Sequence, residues 1–231
     1  MNLTFLGLGS AFNPTMDNSN AWFSQGSTFF LIDCGETTFG RIWNNPDYLS
    51  SKETAVIVTH LHADHVGSLG SLISYSYYVA GKKIRVCHPL DTVVGLLDLL
   101  GIQRRCYEFV RLEEGKAADL GEGLRATPLK VEHVEDMTCF GYILDDGAER
   151  IYFSGDAKNI PGEVVAGLAS GSIRRIYQDT SAKESDHPTH ATISYLEKTI
   201  DPALRSRVFC IHLDYDYRAL LEEKGFGTLY I

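Results

Sequence analysis

Short apolar runs alternate with helix-like stretches along the chain, and most of the runs end at a polar side chain. The runs rich in β-branched and aromatic residues predict strands at residues 21–24, 28–32, 55–58, 83–87, 124–131, 139–144, 150–153, 173–178 and 207–211. Helical periodicity and start signals predict helices at residues 38–43, 68–79, 91–100 and 193–200. This alternation is typical of an α/β fold, and we expect one domain over residues 1–231.

The clearest chemistry follows the apolar run at residues 55–58. His60, His62, Asp64 and His65 lie within six residues, and Gly67 comes next. In an extended segment, His60, His62 and Asp64 would point to one side, while His65 would turn with the loop and could serve a second metal. Imidazole nitrogens suit zinc, whereas carboxylate oxygens suit harder ions and can bridge two cations. A lone histidine here would usually be structural, but this group predicts a metal site.

Other candidate residues also stand at strand ends, where the residues alone leave alternatives open. Asp33 after residues 28–32 could orient a metal ligand or simply occupy a turn. His133 follows residues 124–131 and His212 follows residues 207–211, and a lone strand-end histidine is usually structural. The loop at residues 7–10 could bring backbone N–H groups, and Ser10, to an anionic ligand, or it could be a plain turn.

Charge and cysteine content narrow the range of partners and compartments. The formal net charge is −9, and arginines occur in pairs rather than in long basic runs, which favours a small substrate over a long nucleic acid. The five cysteines are scattered and odd in number, so we expect no disulfide framework and a reducing, cytoplasmic location. No apolar stretch reaches membrane-spanning length, and residues 1–5 do not have the basic region of a signal peptide.

The segment from His60 to His65 resembles the H-x-H-x-D-H signature of the metallo-β-lactamase superfamily, and the similarity extends over nearly the whole chain. The resemblance implies a metallo-β-lactamase αββα sandwich, with two mixed sheets between outer helices. It also implies two divalent metal ions, with Zn²⁺ favoured and Mn²⁺ or iron as alternatives. The implied ligands are His60, His62 and His133 for one ion and Asp64, His65 and His212 for the other, with Asp156 as the bridge and Asp33 behind the metal-binding loop.

A second element looks like the His-x-Thr element of ribonuclease Z-like phosphodiesterases. His190, Ala191 and Thr192 stand at a predicted helix start, and Asp179 ends the preceding predicted strand. The resemblance implies that Asp179 pairs with His190, which binds the phosphate or protonates the leaving oxygen, while Asp64 positions hydroxide or accepts its proton. It also suggests Thr192 and Ser10 as substrate-binding residues. His187 is the rival to His190, but it precedes Pro188 and is not followed by the threonine.

The spacing of the motifs separates branches of this superfamily. Enzymes that process tRNA 3′ ends carry an arm between the third histidine and the bridging aspartate, whereas this interval runs only from His133 to Asp156. The chain therefore resembles compact cyclic-nucleotide phosphodiesterases, including the anti-Pycsar family, and the opening Phe-Leu-Gly-Leu-Gly-Ser-Ala-Phe-Asn-Pro at residues 5–14 agrees. That resemblance implies hydrolysis of 3′,5′-cyclic nucleotides, which would counter cyclic-nucleotide antiphage signalling, in the host cytoplasm if the protein is phage-encoded.

The resemblance also implies a homodimer, with contact surface at the tyrosine-rich residues 75–78 and the loop 103–107. Three other functions stay open: an endoribonuclease of the tRNA 3′-processing type, a hydrolase of another small cyclic phosphate or lactone, and a non-enzymatic sensor on the same fold. Degenerate sensors usually lose ligands, and this sequence retains the whole set.

Overall fold

The structure is a computed structural model that describes residues 1–185 and 188–231. Its strands form two six-stranded sheets, in which hydrogen-bonded neighbours follow the chain order. The first sheet contains β1 (Thr4–Phe5), β2 (Ala21–Gln25), β3 (Thr28–Ile32), β4 (Glu53–Ile57), β5 (Ile84–His88) and β6 (Tyr107–Arg111). The second contains β7 (Ala118–Asp119), β8 (Arg125–Val131), β9 (Cys139–Asp145), β10 (Arg150–Phe153), β11 (Arg175–Asp179) and β12 (Val208–Ile211).

Both sheets are mixed. The first begins with antiparallel pairs, and β3, β4, β5 and β6 are then parallel. In the second sheet β7 to β10 pair antiparallel, while β10, β11 and β12 run parallel. Because parallel strands end at the same sheet edge, the loops after β10, β11 and β12 lie side by side.

Helices cover the two outer faces. Those of the first half are α1 (Thr38–Ile42), α2 (Pro46–Ser50), α3 (Ala63–Val66), α4 (Leu69–Tyr78) and α5 (Thr92–Leu99). Those of the second half are α6 (Gly162–Ser170), α7 (Ile193–Thr199) and α8 (Arg218–Glu223), and 3₁₀ turns occupy Arg104–Cys106 and Pro202–Arg207. Among the described residues, we find no helix with the length and apolar character needed to cross a membrane.

The alternation of side chains along the strands builds three apolar layers. On β4, Ala55 and Ile57 face the second sheet, whereas Val56 packs with the helices of the first half. On β10, Ile151 and Phe153 face the first sheet, and Tyr152 packs with the helices of the second half. Strands buried on both faces read as continuous apolar runs, which is why the sequence shows them clearly.

This architecture confirms the predicted αββα sandwich, and each predicted strand and helix has a counterpart with ends shifted by a few residues. The pattern of apolar and polar residues did not predict β6, β7, α2, α3, α6 and α8. Part of the loop expected at residues 103–107 is a 3₁₀ turn, after which β6 begins at Tyr107.

Candidate metal centre

The loop after β4 carries four of the predicted ligands, but it is not extended throughout. The chain turns into α3 at Ala63, where the N–H groups of His65 and Val66 each donate to the His62 carbonyl at 3.0 Å. The prediction that His60, His62 and Asp64 point to one side is therefore wrong. The helical turn directs Asp64 to a different cluster from His60 and His62.

The first cluster gathers His60, His62, His133 and Asp156. His62 Nδ1 lies 3.0 Å from His60 Nε2 and 3.4 Å from His133 Nε2. Asp156 Oδ2 lies 3.7 Å from His60 Nε2 and 3.6 Å from His133 Nε2. Three imidazole nitrogens and a carboxylate thus converge on one point from the ends of β4, β8 and β10.

The second cluster gathers Asp64, His65, His212 and the same Asp156. Asp64 Oδ2 is 3.1 Å from both His65 Nε2 and His212 Nε2. Asp156 reaches His65 Nε2 through Oδ1 at 3.1 Å and His212 Nε2 through Oδ2 at 3.4 Å. The sequence grouping of seven ligands into two sets joined by Asp156 corresponds to these two clusters.

The donor atoms fit divalent cations. His65 Nε2 and Asp156 Oδ1 are buried and have no hydrogen-bond partner among the described residues, although buried polar atoms nearly always have one. A cation between these atoms would satisfy both. The mixture of imidazole nitrogen and carboxylate oxygen suits zinc and related ions.

Asp33 and Thr59 orient two of these histidines from behind. Asp33 is fully buried and accepts hydrogen bonds from the Thr59 N–H and hydroxyl, each at 2.7 Å, and from His65 Nδ1 at 2.7 Å. Because the Thr59 hydroxyl gives its proton to Asp33, it accepts at 3.1 Å from His60 Nδ1. Both histidines are thereby held in the tautomer that leaves Nε2 free for a metal. Sequence reasoning missed Thr59, since a threonine at a strand end carries no separate signal.

Backbone conformation also marks this site. Asp33 and His212 directly follow β3 and β12 with φ of 61° and 59°, in the left-handed region that side chains usually avoid. Such residues persist where surrounding contacts hold them. The contacts here are the Thr59 hydrogen bonds to Asp33 and the hydrogen bond from the His212 N–H to Ser19 Oγ at 3.1 Å.

One glycine permits the close approach of two loops. A Cβ on Gly35 would lie 1.9 Å from the Asp64 carbonyl oxygen, so the loop after β3 packs directly on the first turn of α3. The Cys34 N–H donates to the His65 carbonyl at 2.7 Å in the same place. The position of Asp64 and His65 therefore depends on the absence of a side chain at residue 35.

His190 and Asp179 lie together beside the clusters, as predicted. His190 Nδ1 is 2.7 Å from Asp179 Oδ2, and Asp179 Oδ1 is 3.3 Å from His212 Nδ1. The His190 ring lies 4.8 Å from the His133 ring and 4.9 Å from the His212 ring, centroid to centroid. Its side chain is 26% exposed, against 4% or less for His65, His133 and His212, so it faces the opening of the site. The rival His187 lies outside the described residues.

The two predicted substrate-binding residues lie near the site in different roles. Ser10 is nearly buried, and its N–H donates at 3.1 Å to the carbonyl of Leu213, the residue after His212. Thr192 Oγ1 accepts the Tyr195 N–H at 3.2 Å and caps the start of α7. Their contact with substrate stays a prediction.

The carboxylates dominate the electrostatics. Burial opposes ionisation of Asp156, but His212, His65 and His60 hold its pKa well below the ordinary range. Burial alone would lower the pKa of His65, but Asp156, Asp64 and Asp33 raise it well above its usual value. Burial, together with the neighbouring His65, lowers the pKa of His60. The site therefore presents ionised carboxylates and draws positive charge.

The Asp179 carboxylate favours the protonated form of His190. Burial alone would lower its pKa, but the Asp179 carboxylate raises it above the ordinary value of 6.5. Because Asp179 accepts the Nδ1 proton, Nε2 is the nitrogen available to a ligand. A protonated imidazole near clustered metal ligands can stabilise or protonate an anionic oxygen.

Comparison with known proteins identifies relatives along the full length. A family model described as Anti-Pycsar protein Apyc1 matches residues 1–230. The Anti-Pycsar protein Apyc1 of Paenibacillus harenae is 25% identical over 223 residues, covering 92% of this chain and 89% of that protein.

Two solved structures share the fold. The metallo-beta-lactamase fold protein YhfI from Bacillus subtilis matches with a TM-score of 0.74 at 16% identity, over 98% of this chain and 93% of that one. Zn²⁺-bound PqqB from Methylobacterium extorquens matches with a TM-score of 0.77 at 15% identity, over 100% and 98%. These similarities confirm the metallo-β-lactamase fold that the sequence motifs predicted.

Proposed function

The chain belongs to the Anti-Pycsar protein Apyc1 family, and from that premise we propose that it hydrolyses 3′,5′-cyclic nucleotides to linear nucleoside monophosphates. The observation that carries the proposal is His190, held by Asp179, beside two ligand clusters that share Asp156. Such a reaction would remove a cyclic-nucleotide signal of the kind that antiphage defence uses.

Two divalent cations, with Zn²⁺ first and Mn²⁺ second, are the proposed cofactors. His60, His62 and His133 would hold one, Asp64, His65 and His212 the other, and Asp156 both. When bound, such a pair activates water at neutral pH and neutralises phosphate charge. The Zn²⁺-bound neighbour of the same fold supports zinc as the first choice.

Asp64 has the position and charge to act on the attacking water as a hydrogen-bond acceptor. Burial opposes its ionisation, but His65 and His212 lower its pKa, so it is a carboxylate at neutral pH. In our proposal Asp64 orients the water in the second cluster or accepts its proton as the oxygen attacks phosphorus.

His190 completes the reaction at the other side of the phosphate. As the new P–O bond forms, the bond from phosphorus to the ribose 3′ oxygen breaks, and that oxygen needs a proton. The Nε2 proton of His190 supplies it, while Asp179 stabilises the imidazolium until it gives up this proton. The balance is one cyclic nucleotide and one water to one linear monophosphate.

A small substrate is the better fit to this chain. The interval between His133 and Asp156 folds into a short loop, β9, a turn and β10, which leaves no residues for an extended arm. With a formal charge of −9, the chain is also poorly suited to hold a long polyanion.

A substrate panel with metal-reconstituted protein tests the proposal. The panel contains the four 3′,5′-cyclic mononucleotides, a 2′,3′-cyclic nucleotide, bis-p-nitrophenyl phosphate, a lactone and precursor tRNA. We expect turnover of 3′,5′-cyclic mononucleotides to exceed that of the other esters. Efficient cleavage of precursor tRNA without turnover of cyclic mononucleotides would overturn the assignment in favour of a ribonuclease.

We also propose that the active form is a homodimer that works in the cytoplasm. Exposed apolar side chains at the ends of α4 and α5, namely Tyr78, Val79, Leu99 and Leu100, offer contact surface. All five cysteines are buried free thiols, which suits a reducing compartment.

A further inference from the structure

An arginine-rich cleft opens at the end of the second sheet opposite the candidate metal centre. Its volume is about 1260 Å³, and it lies where β10 and β11 begin. Five arginine side chains and two carboxylates line it, a surplus of three positive charges (5 − 2), in a chain whose net charge is −9. The Met1 ammonium also belongs to the lining, and Asp146 at 2.9 Å offsets its charge. The arginines are Arg125, Arg150, Arg174, Arg175 and Arg207.

Four of the lining residues stand side by side, on three neighbouring strands and on the residue that precedes β11. Asp145 at the end of β9 pairs in register with Arg125 of β8 on one side and Arg150 of β10 on the other. The Arg174 N–H donates to the Arg150 carbonyl at 2.8 Å, which places Arg174 next in the row. Adjacent strands are about 4.8 Å apart, so the row spans roughly 14 Å.

The two carboxylates are already occupied. Asp145 Oδ2 accepts from Arg125 Nη2 at 2.9 Å and from Arg150 Nε at 2.8 Å, and its Oδ1 accepts from the Gly147 N–H. Glu149 accepts from Arg175 at 2.6 Å and pairs with Arg174 at 3.2 Å. These contacts fix the guanidinium groups, and each group carries five N–H donors, so several donors remain for a ligand.

The row places two arginines next to each other. Arg174 lies beside Arg150, and each contacts a different carboxylate, Glu149 and Asp145 respectively. The side chains of Arg150 and Arg174 are 53% and 70% exposed, so both reach solvent. An anion between them would accept hydrogen bonds from both guanidinium groups.

Arg207 has a structural role in the cleft. Its guanidinium donates to the backbone carbonyls of Leu168, Ile173 and Arg174, at 3.1, 2.5 and 2.8 Å. These bonds tie the end of α6 to the start of β11. We therefore assign Arg207 to the wall of the cleft and the ligand to the other arginines.

We propose that this cleft binds a ligand with two or three consecutive phosphate groups, such as inorganic triphosphate or a nucleoside triphosphate. Guanidinium groups bind phosphate oxygens with paired, charge-assisted hydrogen bonds. Three arginines in one row of strand ends, with Asp145 between Arg125 and Arg150, fit a chain of phosphates, whereas a single phosphate reaches only one neighbouring pair. The surplus of three charges in the lining matches a di- or triphosphate.

The site is separate from the metal centre. The arginines stand at the amino ends of β10 and β11, whereas Asp156 and Asp179 stand at or just beyond their carboxyl ends. A strand of four or five residues spans roughly 13–17 Å, which keeps the two sites apart. The proposal does not depend on the reaction proposed at the metal centre.

Protection from an arginine-selective reagent tests the proposal on the metal-loaded full chain. The protein is treated with phenylglyoxal in the presence of one ligand at about 1 mM. The ligands are inorganic triphosphate, ATP, AMP, orthophosphate and an oligouridylate. Modified peptides are then quantified by mass spectrometry. We expect triphosphate and ATP to slow modification of Arg150 and Arg174 by about fivefold or more, with less than about twofold protection by orthophosphate. Exposed Arg104 and Arg111 should be unprotected.

A matched pair of double variants provides the second test, in which binding of triphosphate is measured by calorimetric titration. R150Q/R174Q should weaken binding at the cleft by about tenfold or more, whereas R104Q/R111Q removes the same charge and should leave it unchanged. Binding of triphosphate at the metal centre would persist in both variants and is thus distinguished. Equal protection at all four arginines, no protection, or stronger protection by the oligouridylate than by triphosphate would overturn the proposal.

Discussion

At the scale of single residues, Asp179 connects two tasks of the site. One carboxylate contacts His190 at 2.7 Å and His212 at 3.3 Å, and it accepts the Ala157 N–H at 2.9 Å. Ala157 directly follows Asp156, so Asp179 positions His190, His212 and the backbone beside the shared carboxylate. A change at Asp179 should therefore disturb both protonation and metal binding.

Replacing His190 tests the proton donor. His190→Ala should keep both metal ions, because His190 Nδ1 bonds to Asp179 and the two ligand clusters are complete without it. Turnover of a cyclic mononucleotide should fall by roughly a hundredfold to ten-thousandfold, the usual contribution of general acid–base catalysis. The measurement is kcat together with metal content by elemental analysis.

The rival histidine provides the control for that experiment. His187→Ala should retain turnover close to that of the wild type. If His190→Ala matched the wild type while His187→Ala lost activity, the role assigned to His190 would belong to His187.

The pH profile tests the link between His190 and Asp179. The pKa of His190 is raised mainly because the Asp179 carboxylate outweighs burial, so the protonated form persists to a higher pH. Activity that needs this proton is present below the raised pKa and falls as pH rises through it. Asp179→Asn removes the carboxylate charge and should move this alkaline limb of kcat to lower pH. An unchanged limb at equal metal content would contradict the assignment.

Thr59 offers a test of the hydrogen bonds behind the ligands. Thr59→Val keeps the shape but loses the hydroxyl that donates to Asp33 and accepts from His60. Loss of such supporting bonds typically weakens metal binding by about tenfold to a hundredfold. Chelator competition measures the affinity, and Thr54→Val near the other end of β4 is the matched control, since its side chain is remote from the ligands.

At this scale the sequence predicted most of the site residues, but it did not predict the contacts that support them. The ligand types and their spacing identified four metal-binding candidates, the family resemblance implied His133, Asp156 and His212, and the structure brings all seven together. The turn that separates Asp64 from His60 was not readable, because α3 has only four residues and no capping signal. Thr59 and the left-handed Asp33 depend on contacts between distant parts of the chain, which a local pattern does not contain.

At the scale of elements, the sequence predicted the strands buried on both faces and the edge strand β12, and it missed the edge strands β6 and β7. β4 and β10 read as continuous apolar runs because each packs against a sheet and a helical layer. β6 carries exposed and polar residues, and β7 has only two residues, so pairing in the sheet rather than local pattern defines them. α2 and α8 are five and six residues long, too short to show a clear period.

Two glycines give a matched test of element packing. Gly35→Ala would place a methyl group against the Asp64 backbone, which has no side-chain freedom to move, whereas nothing lies within 4 Å of a Cβ at Gly40 in α1. We expect Gly35→Ala to lower the free energy of unfolding by about 1–3 kcal/mol, as overpacking does, and to weaken metal binding.

Gly40→Ala should leave metal binding unchanged and stabilise the protein by up to about 1 kcal/mol, since alanine favours a helix more than glycine. Urea unfolding and chelator competition measure both variants. Equal behaviour of the two variants would show that the contact between Gly35 and Asp64 does not position the ligands.

At the scale of the whole molecule, the proposed association of two copies of the chain into a homodimer can be tested directly. Leu99 is 89% exposed at the end of α5, and Tyr78 is 60% exposed at the end of α4. The segment after α5 runs along α4: a Cβ on Gly70 near the start of α4 would lie 3.8 Å from Leu100, and Cys106 Sγ lies 3.7 Å from the Tyr78 hydroxyl at its end. The surface proposed for contact therefore extends along α4. Leu99→Arg should convert the expected homodimer into a monomer, measured by light scattering.

Leu49→Arg is the control for that prediction. Leu49 is also an exposed leucine, but it lies on α2 rather than on this surface. A wild-type protein that is monomeric at high micromolar concentration would refute the homodimer. If Leu99→Arg and Leu49→Arg were both monomeric, the assignment of the contact surface to α4 and α5 would be wrong.

The shared carboxylate of Asp156 has a consequence for the proposed loading with two cations. Its two oxygens contact histidines of both clusters, so an ion in one cluster would fix the carboxylate for the other and offset negative charge there. Filling one cluster would therefore change the free energy of filling the other, which is a thermodynamic coupling between the two halves of the protein. The strands that end at the clusters belong to different sheets, so the ions would also join those sheets. Metal-free protein should therefore be less stable to unfolding as a whole, rather than only inactive.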